Sequence, residues 1–329
     1  MKVNRDFIAA KAGVSSATVS RVFNNPDSVS SGKVTAVLKA ARKYGYSPNK
    51  MASALRRNDT GIISFLELRD PDHVEGRDYL WSYADAIKGV KKAIDSTMYM
   101  LNLQSLARDE FPKLADAYPC DGIIAHYLAD PALNELVSRQ GIPYVLCYRN
   151  SDPKYNTVFV DEVHGGYLAG RKLSDTGHRK PAHINSTSLA GVCGNRWEGF
   201  KKGIGGEPLL IQGGLGIKGG YESGQKLAKA FKAGKVDSVF VVNDLTAFGV
   251  MQALNEAGIR IPEDLSLIGY DNIPYLDSLP VRIATINLPL SQTYATAARL
   301  LLQNIRTGAP IYQAVKPEFV EGQSVISCR

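Results

Sequence analysis

From residue 61 to the end of the chain, short apolar runs alternate with longer stretches in which apolar residues recur at helical spacing. Brief runs rich in Val, Ile, Leu and aromatic residues are typical of buried parallel strands, and the longer stretches are typical of the helices that connect them. The alternation therefore predicts an α/β fold, and its two series of strands predict two doubly wound parallel-sheet lobes. The predicted strands are 62–66, 99–103, 122–126, 144–148 and 157–160, then 182–185, 209–211, 238–242, 266–270 and 283–287; the predicted helices are 81–94, 131–140, 165–175, 194–202, 221–233, 246–257 and 291–306.

The first 60 residues differ from the rest in charge. They hold 11 Lys or Arg against three Asp, a balance of +8, whereas the other 269 residues hold 28 basic and 29 acidic residues, a balance of −1. A concentrated positive charge is typical of a module that binds a polyanion, because neutralising phosphates releases condensed counterions. The alternative is a basic surface that only contacts solvent. It explains less well why the positive charge is confined to this segment while the other residues hold nearly equal numbers of basic and acidic side chains.

The basic segment also carries the signals of three short helices. Two helices joined by a tight turn are common, so this geometry alone leaves a DNA-binding helix-turn-helix and a structural helix pair equally open. The predicted caps and turns are Asn4 before a helix over 5–12, Gly13 after it, Ser15 before a helix over 16–24, Ser30 before a helix that runs to about Tyr44, and Gly45 after that helix.

Two strings of residues favour the DNA-binding alternative. Residues 12–24 read AGVSSATVSRVFN, and residues 45–56 read GYSPNKMASALR. The first string resembles the recognition motif of the LacI/GalR family of bacterial transcription regulators, AGVS-x-x-TVSRV-x-N. The second resembles the GY-x-PN segment and the hinge helix of the same family. The resemblance implies a sequence-specific regulator, most often a repressor, whose N-terminal all-α head binds operator DNA.

The resemblance also assigns roles within the head. Arg21 is expected to reach a guanine edge with its two-pronged donor, while Ser16 and Ala17 are expected to set operator preference. Leu55 falls at the hinge position that wedges between base steps in the minor groove; packing within an interdomain helix is the alternative. The implied DNA-contacting residues, some of which contact phosphates only, are Ser15, Ser16, Ala17, Thr18, Ser20, Arg21, Asn25, Ser30, Asn49, Ala52, Leu55 and Arg56.

Further strings from residue 122 onward also recur in this family, among them GII at 122–124, R-x-x-GF at 196–200 and GYD at 269–271. They imply an effector-binding core of periplasmic-binding-protein type I architecture, with a small molecule bound in the cleft between its lobes. The expected division is a helix-turn-helix domain over 1–47, a hinge helix and linker over 48–60, and an effector-binding and dimerisation domain over 61–329, with lobe 1 at about 61–158 plus 288–317 and lobe 2 at about 159–287 plus 318–329.

Three polar side chains match family positions that reach the cleft (Arg196, Asn243 and Asp271), and they suggest a sugar or a related polyol as the effector, to which Trp81 and Tyr83 would add an aromatic platform. A carboxylate accepts hydroxyl protons, an amide both donates and accepts, and an arginine donates in a fixed fork. A helix cap or a salt bridge within one lobe is the alternative for the three polar residues, core packing is the alternative for the aromatic ones, and a hinge role at the first lobe crossing is the alternative for Asp161. Many relatives carry Asp at the position of Tyr148, which weakens any transfer of a relative's specificity. The candidate effector-binding residues are Trp81, Tyr83, Tyr148, Asp161, Arg196, Asn243 and Asp271.

Other classes of protein fit less well. The GxGxxG string at 214–219 is typical of an NAD site, so an NAD-dependent oxidoreductase is the alternative function, but the string lies deep in the chain and lacks the acidic residue expected about 20 positions later. We expect no cofactor, metal or catalytic residue, because the four cysteines form no CxxC pair and the histidines form no HExxH motif. A secreted binding protein is disfavoured by the basic head and by an N-terminus without a signal sequence. The expected protein is a cytoplasmic, nucleoid-associated homodimer without a membrane segment, which binds palindromic operator DNA.

Overall fold

The computed structural model describes residues 3–24, 26–46, 59–68, 80–126, 131–148 and 151–328. Its N-terminal head contains three helices around a small apolar core formed by Ile8, Val19 and Val37, each 0% exposed. The helices are α1 (Arg5–Ala12), α2 (Ser16–Asn24) and α3 (Ser31–Tyr44), with a 3-10 turn at Pro26–Ser28 between the last two.

Local signals explain where the head helices begin and end. The Asn4 side chain accepts a hydrogen bond from the Phe7 amide at 2.8 Å, and Gly13 closes α1 in the left-handed conformation, with φ of 66°. Ser15 starts α2, where its hydroxyl oxygen accepts from the Thr18 amide at 3.2 Å. Ser30 stands before α3 as expected, but its side chain makes no capping hydrogen bond, so that part of the prediction is wrong.

The elements of the first lobe are β1 (Ile62–Leu68), α4 (Leu80–Ile94), β2 (Met100–Leu106), a 3-10 segment (Arg108–Lys113), α5 (Leu114–Ala117), β3 (Gly122–His126), α6 (Pro131–Ser138), β4 (Tyr144–Tyr148), β5 (Thr157–Val160), and later α11 (Leu290–Thr307) and β11 (Tyr312–Val315). The strands form a six-stranded parallel sheet in the order β11-β5-β4-β3-β1-β2. Apolar side chains alternate between its faces: Ile63, Phe65 and Ile124 pack under α4 and α11, while Leu66 and Ile123 pack on the opposite face.

The second lobe repeats this design. Its sheet has the order β12-β10-β9-β8-β6-β7 and is parallel except for the antiparallel pair β10–β12. Two glycine-rich helices, α7 and α8, pack against each other, and α9 and α10 form a second close pair. The elements are α7 (Glu162–Asp175), β6 (Pro181–Ser186), α8 (Val192–Ile204), β7 (Leu209–Gly213), α9 (Gly216–Lys232), β8 (Ser238–Val241), α10 (Asp244–Glu256), β9 (Ser266–Asp271), a 3-10 segment (Pro274–Ser278), β10 (Ala284–Asn287) and β12 (Glu318–Val320).

The chain passes between the lobes three times, after β5, after β10 and after β11. Each passage leaves the carboxyl end of a strand, and β12 starts beside the carboxyl end of β10, where Glu318 pairs with Asn287. The carboxyl edges of the two sheets therefore face the same crossing region, which is where ligands bind in open α/β sheets. The first passage is tied to the third by the Asp161 amide, which donates to the Val315 carbonyl at 2.9 Å.

The architecture confirms the predicted class, an all-α head followed by two parallel-sheet lobes, but several details differ. The sequence prediction missed strands β11 and β12, which are short edge strands with largely exposed residues and so lack a buried apolar run. The expected start of α9 at 221 is wrong because Gly216–Gly220 are helical. Strand β5 continues to Val160, two residues beyond the expected lobe boundary. No helix among the described residues is long and apolar enough to cross a membrane.

Replacing Gly199 by Ala should destabilise the second lobe, because α7 and α8 touch through their glycines. A Cβ on Gly199 would lie 2.0 Å from the Val163 carbonyl oxygen, so the helices would have to separate. Overpacking of this kind costs roughly 1–3 kcal/mol. Urea unfolding measures the loss. Gly206→Ala is the matched control, because nothing lies within 4 Å of the Cβ it would add. Equal stability of the two variants would contradict the prediction.

Acid should destabilise the protein through His183, which is 0% exposed. Its Nδ1 donates to the Phe240 carbonyl at 2.9 Å, and burial lowers the pKa of His183 from 6.5 to about 3. Below pH 6.5 the imidazole of His183 is protonated in the unfolded chain but stays neutral in the folded chain, and this difference favours unfolding. Above pH 6.5 the imidazole is neutral in both states, so the contribution of His183 to stability is complete there. It is lost as the pH falls toward 3, by about 1.4 kcal/mol per pH unit. Urea unfolding of the wild type and of His183→Leu between pH 8 and pH 5 isolates this contribution, because titrations common to both proteins, such as that of the buried Asp244, cancel in the difference between them. A difference in unfolding free energy that does not change with pH would contradict the assignment.

Candidate functional site

Helix α2, in which the sequence predicts the DNA-reading residues, presents one face to solvent. Val19 and Val22 are buried against the other head helices, which leaves Ala17 and Arg21, one helical turn apart, exposed on the other side. Thr18 and Ser20 are half-buried beside them. This arrangement brings together several of the residues that the sequence predicted to contact DNA, on the part of the chain with the highest positive charge.

Hydrogen bonds fix the start of this face. The Ser16 hydroxyl donates to the carboxylate of Asp6 on α1, and the Ser15 and Thr18 hydroxyls lie 3.0 Å apart. Ser16 thus links the recognition helix to the helix behind it and has an internal partner, which its predicted role in operator preference did not anticipate. Ser30 is exposed at the start of α3. The other predicted DNA contacts, Asn25, Asn49, Ala52, Leu55 and Arg56, lie outside the described residues.

A buried ion cluster lies at the carboxyl edge of the second sheet. Arg196 on α8 is 3% exposed, and it pairs with Glu162, the first residue of α7, through Nε–Oε2 at 2.8 Å and Nη2–Oε1 at 3.3 Å. Its Nη1 donates to the Val242 carbonyl at 2.6 Å, and its Nη2 lies 3.6 Å from Asp271 Oδ1. The guanidinium carbon lies 3.5 Å above the centre of the Tyr270 ring. Arg196 and Asp271 are thus brought together, and Glu162 joins them as a residue that the sequence analysis missed.

The backbone around Asp271 is in a conformation that L-residues rarely adopt. Asp271 and Asn272 have φ of 109° and 58°. The turn is held by Asp244, which is 0% exposed and accepts from the Ile273 amide at 3.1 Å and from the Thr285 hydroxyl at 2.8 Å. Burial raises the pKa of Asp244 to about 7. Strain of this kind clusters at binding sites, where the surrounding structure enforces it.

Two other predicted effector residues act as helix caps. The Asp161 carboxylate accepts from the His164 amide at 2.9 Å at the start of α7. The Asn243 side chain accepts from the Thr246 amide at 2.8 Å at the start of α10. Both follow the carboxyl end of a strand, so they lie on the edge where a ligand is expected, and part of their hydrogen-bonding capacity is already used.

The first lobe contributes an aromatic cluster. Tyr83 packs edge-on against Phe65 and His126, with ring centres 5.5 and 5.7 Å apart, and His126 Nδ1 lies 2.5 Å from the Tyr294 hydroxyl. Trp81 packs against the cores of both lobes, and its buried indole nitrogen has no hydrogen-bond partner among the described residues. The sequence analysis did not single out His126. Its position as the last residue of a predicted strand could have indicated a side chain at the edge where a ligand is expected. For Tyr148, the last residue of β4, only the backbone is described.

Two glycines of the GxGxxG string, Gly214 and Gly219, bring the loop before α9 close to the first turn of that helix, and the next residue, Gly220, packs against α10. A Cβ on Gly219 would lie 2.2 Å from the Gly214 carbonyl, and one on Gly220 would lie 2.0 Å from the Thr246 carbonyl oxygen. The Gly216 amide, at the helix start where a pyrophosphate would bind, already donates to the Thr246 hydroxyl at 3.0 Å. The preceding strand β7 is at the sheet edge and not at a topological switch point, so the NAD alternative finds no support. Among the described residues, no three His, Cys, Asp or Glu side chains are grouped so as to hold a metal ion.

Known proteins resemble both parts of the chain. Residues 6–49 match the model of the bacterial regulatory proteins of the lacI family, and residues 171–325 match that of a periplasmic binding protein-like domain. The HTH-type transcriptional repressor PurR of Vibrio cholerae is 28% identical over 334 residues, which cover 97% of this chain and 96% of PurR.

Two solved structures extend the similarity to three dimensions. A complex of the transcriptional regulator CelR with cellobiose is 25% identical, with a TM-score of 0.70, and the similarity covers 98% of this chain and 100% of that one. A LacI-family regulator of Enterococcus faecium with bound ribose is 25% identical, with a TM-score of 0.67, over 82% of this chain and 100% of that one. These relatives are transcription regulators and not enzymes. The chain therefore belongs to the LacI/GalR family of DNA-binding transcription regulators.

Proposed function

We propose that this regulator is a repressor whose affinity for operator DNA is controlled by a sugar or sugar derivative bound between the two lobes. The observation that carries the DNA-binding part is the exposed Ala17–Arg21 face of α2, on a head with a balance of +8. The sequence-predicted DNA contacts, Leu55 and the rest of the hinge among them, belong to this proposal. So does the division into a head over 1–47, a hinge over 48–60 and an effector-binding domain over 61–329.

The effector class is supported by the chemistry at the carboxyl edges. Asp271 and Asp161 supply carboxylate oxygens that accept from sugar hydroxyls, and Trp81 supplies an indole donor and an apolar ring face. The similar regulators were solved with cellobiose and with ribose. Binding of a ligand that contacts both lobes would favour one lobe arrangement, and coupling between two such sites is typically worth about 1–3 kcal/mol.

The proposed assembly is a homodimer on a palindromic operator. A symmetric dimer places two recognition helices one turn of DNA apart, so each half-site contacts one α2. A repressor of bacterial genes acts in the cytoplasm, and association with the nucleoid is part of the same proposal.

The test uses the full chain and a palindrome selected by the protein from random-sequence DNA. We expect tight binding of this site, a steep loss of affinity as salt rises, and an affinity change of about 5- to 150-fold when the effector is added. Thermal shift with ribose, cellobiose and related sugars identifies the ligand. Failure to select any DNA site would refute the proposal; selection of a site with no response to any sugar would refute the effector class alone.

A further inference from the structure

We infer that Glu162 makes the second-lobe wall of the effector site acidic, so that the site takes an uncharged polyhydroxylated ligand and rejects phosphorylated or carboxylated ones. This inference rests on the proposed function, because it names the ligand class of the same site. It concerns a residue that sequence patterns did not single out.

The first step is the state of Arg196, which is the only basic side chain in this cluster of described residues. An arginine at a ligand site commonly binds a phosphate or carboxylate through two parallel hydrogen bonds. Here Nε and Nη2 are already paired with the two oxygens of Glu162, and Nη1 is paired with the Val242 carbonyl. The fork that would hold an anionic ligand is therefore filled by the chain's own carboxylate.

The second step is the balance of charge. Arg196 faces Glu162 and Asp271, with side chains 4%, 2% and 5% exposed, and Asp161 adds a further carboxylate at the same edge. Two carboxylates thus face one guanidinium, and a third carboxylate lies at the same edge of the sheet. Because the pair with Glu162 is buried, water screens this excess negative charge weakly, and an approaching anion meets repulsion.

The third step concerns the helix N-termini, which are the other usual anion sites of α/β proteins. At the start of α7, the His164 amide is taken by the Asp161 carboxylate, and Glu162 is the first helical residue. At the start of α10, the Thr246 amide is taken by the Asn243 side chain, and Asp244 follows. At these two N-termini, one amide is taken by a side chain of the protein and the first turn carries an acidic residue, so neither favours a bound anion.

The decisive experiment compares matched ligands on the full-length wild-type protein by isothermal titration and thermal shift. The pairs are ribose with ribose 5-phosphate and glucose with glucose 6-phosphate, together with cellobiose. We expect neutral members to bind and each phosphorylated member to bind at least about ten-fold more weakly than its partner, a difference of about 1.4 kcal/mol. A phosphorylated sugar that binds as well as its neutral partner would overturn the inference and leave the proposed function intact. Binding by none of these compounds would refute the proposed effector class, and the inference with it.

A substitution at Glu162 tests whether this residue causes the discrimination against phosphorylated sugars. Glu162→Gln keeps an oxygen that can accept from Arg196 but removes the charge, so its preference for the neutral sugar should shrink by about ten-fold. Glu198→Gln, on the exposed side of α8, is the control and should keep the wild-type preference. Unchanged discrimination in a folded Glu162→Gln protein would overturn the assignment. If circular dichroism shows that this variant is unfolded, Glu162→Asp, which retains the charge, should keep the preference, and its loss there would count against the inference.

Discussion

Arg21→Ala should abolish sequence-specific binding to the operator. Arg21 is exposed on the face of α2 opposite the buried Val19 and Val22, and a bidentate arginine–guanine contact is worth about 1–3 kcal/mol of discrimination. A symmetric dimer loses this contact in both half-sites, so the loss should be on the order of 2–6 kcal/mol, which is about 1.5 to 4.5 orders of magnitude in affinity. Fluorescence anisotropy with the selected palindrome and with random-sequence DNA measures it.

The control for Arg21 is another exposed arginine of the head. Arg42 lies in the last turn of α3 and carries the same charge. Arg42→Ala should weaken binding to the palindrome and to random DNA by the same small factor, because a lost phosphate attraction carries no sequence information. If Arg21→Ala also lowered both affinities equally, Arg21 would be a phosphate contact and the assigned role in base recognition would be wrong.

Removal of the Arg196 guanidinium should be the most destabilising single change in the second lobe. Arg196→Met leaves the carboxylates of Glu162 and Asp271 and the Val242 carbonyl buried around an apolar side chain. Breaking a buried ion pair by removing one partner costs about 3–5 kcal/mol, because the remaining charge is uncompensated. In a domain of this size we expect the melting temperature to fall by roughly 10 °C, as differential scanning calorimetry would show.

The double variant Glu162→Met/Arg196→Met distinguishes the buried pair from simple loss of packing. Replacing both partners of a buried pair with apolar groups is often close to neutral. The double variant should therefore be more stable than Arg196→Met alone. A double-mutant cycle of the wild type, the two single variants and the double variant should give a coupling energy of about 1–3 kcal/mol between Glu162 and Arg196. If the stability losses of the two single variants simply added in the double variant, the two charges would not stabilise each other, and this would contradict the ion pair seen between them.

Much of the fold follows from local signals. The helices Arg5–Ala12 and Ser16–Asn24 and the strands Gly122–His126, Tyr144–Tyr148 and Thr157–Val160 have the bounds expected from the sequence. Such boundaries depend on capping side chains, glycines and apolar periodicity within a few residues. Strands β11 and β12 escaped prediction because they are only four and three residues long and hold one buried residue between them, so their own apolar pattern is too weak to indicate a strand.

A basic helix-turn-helix followed by two parallel-sheet lobes could be inferred from the amino-acid sequence, as could Arg196, Asn243 and Asp271 as candidates for the ligand edge. The contacts that these side chains make there became visible only in the folded chain. Glu162 and Arg196 are 34 positions apart, and they meet because glycines let α7 and α8 approach closely. Asp271 faces this pair because the buried Asp244 holds its turn at positive φ. Short-range patterns report hydrogen bonds and burial along one element, whereas the charge of a binding site is set by which elements the packing brings together.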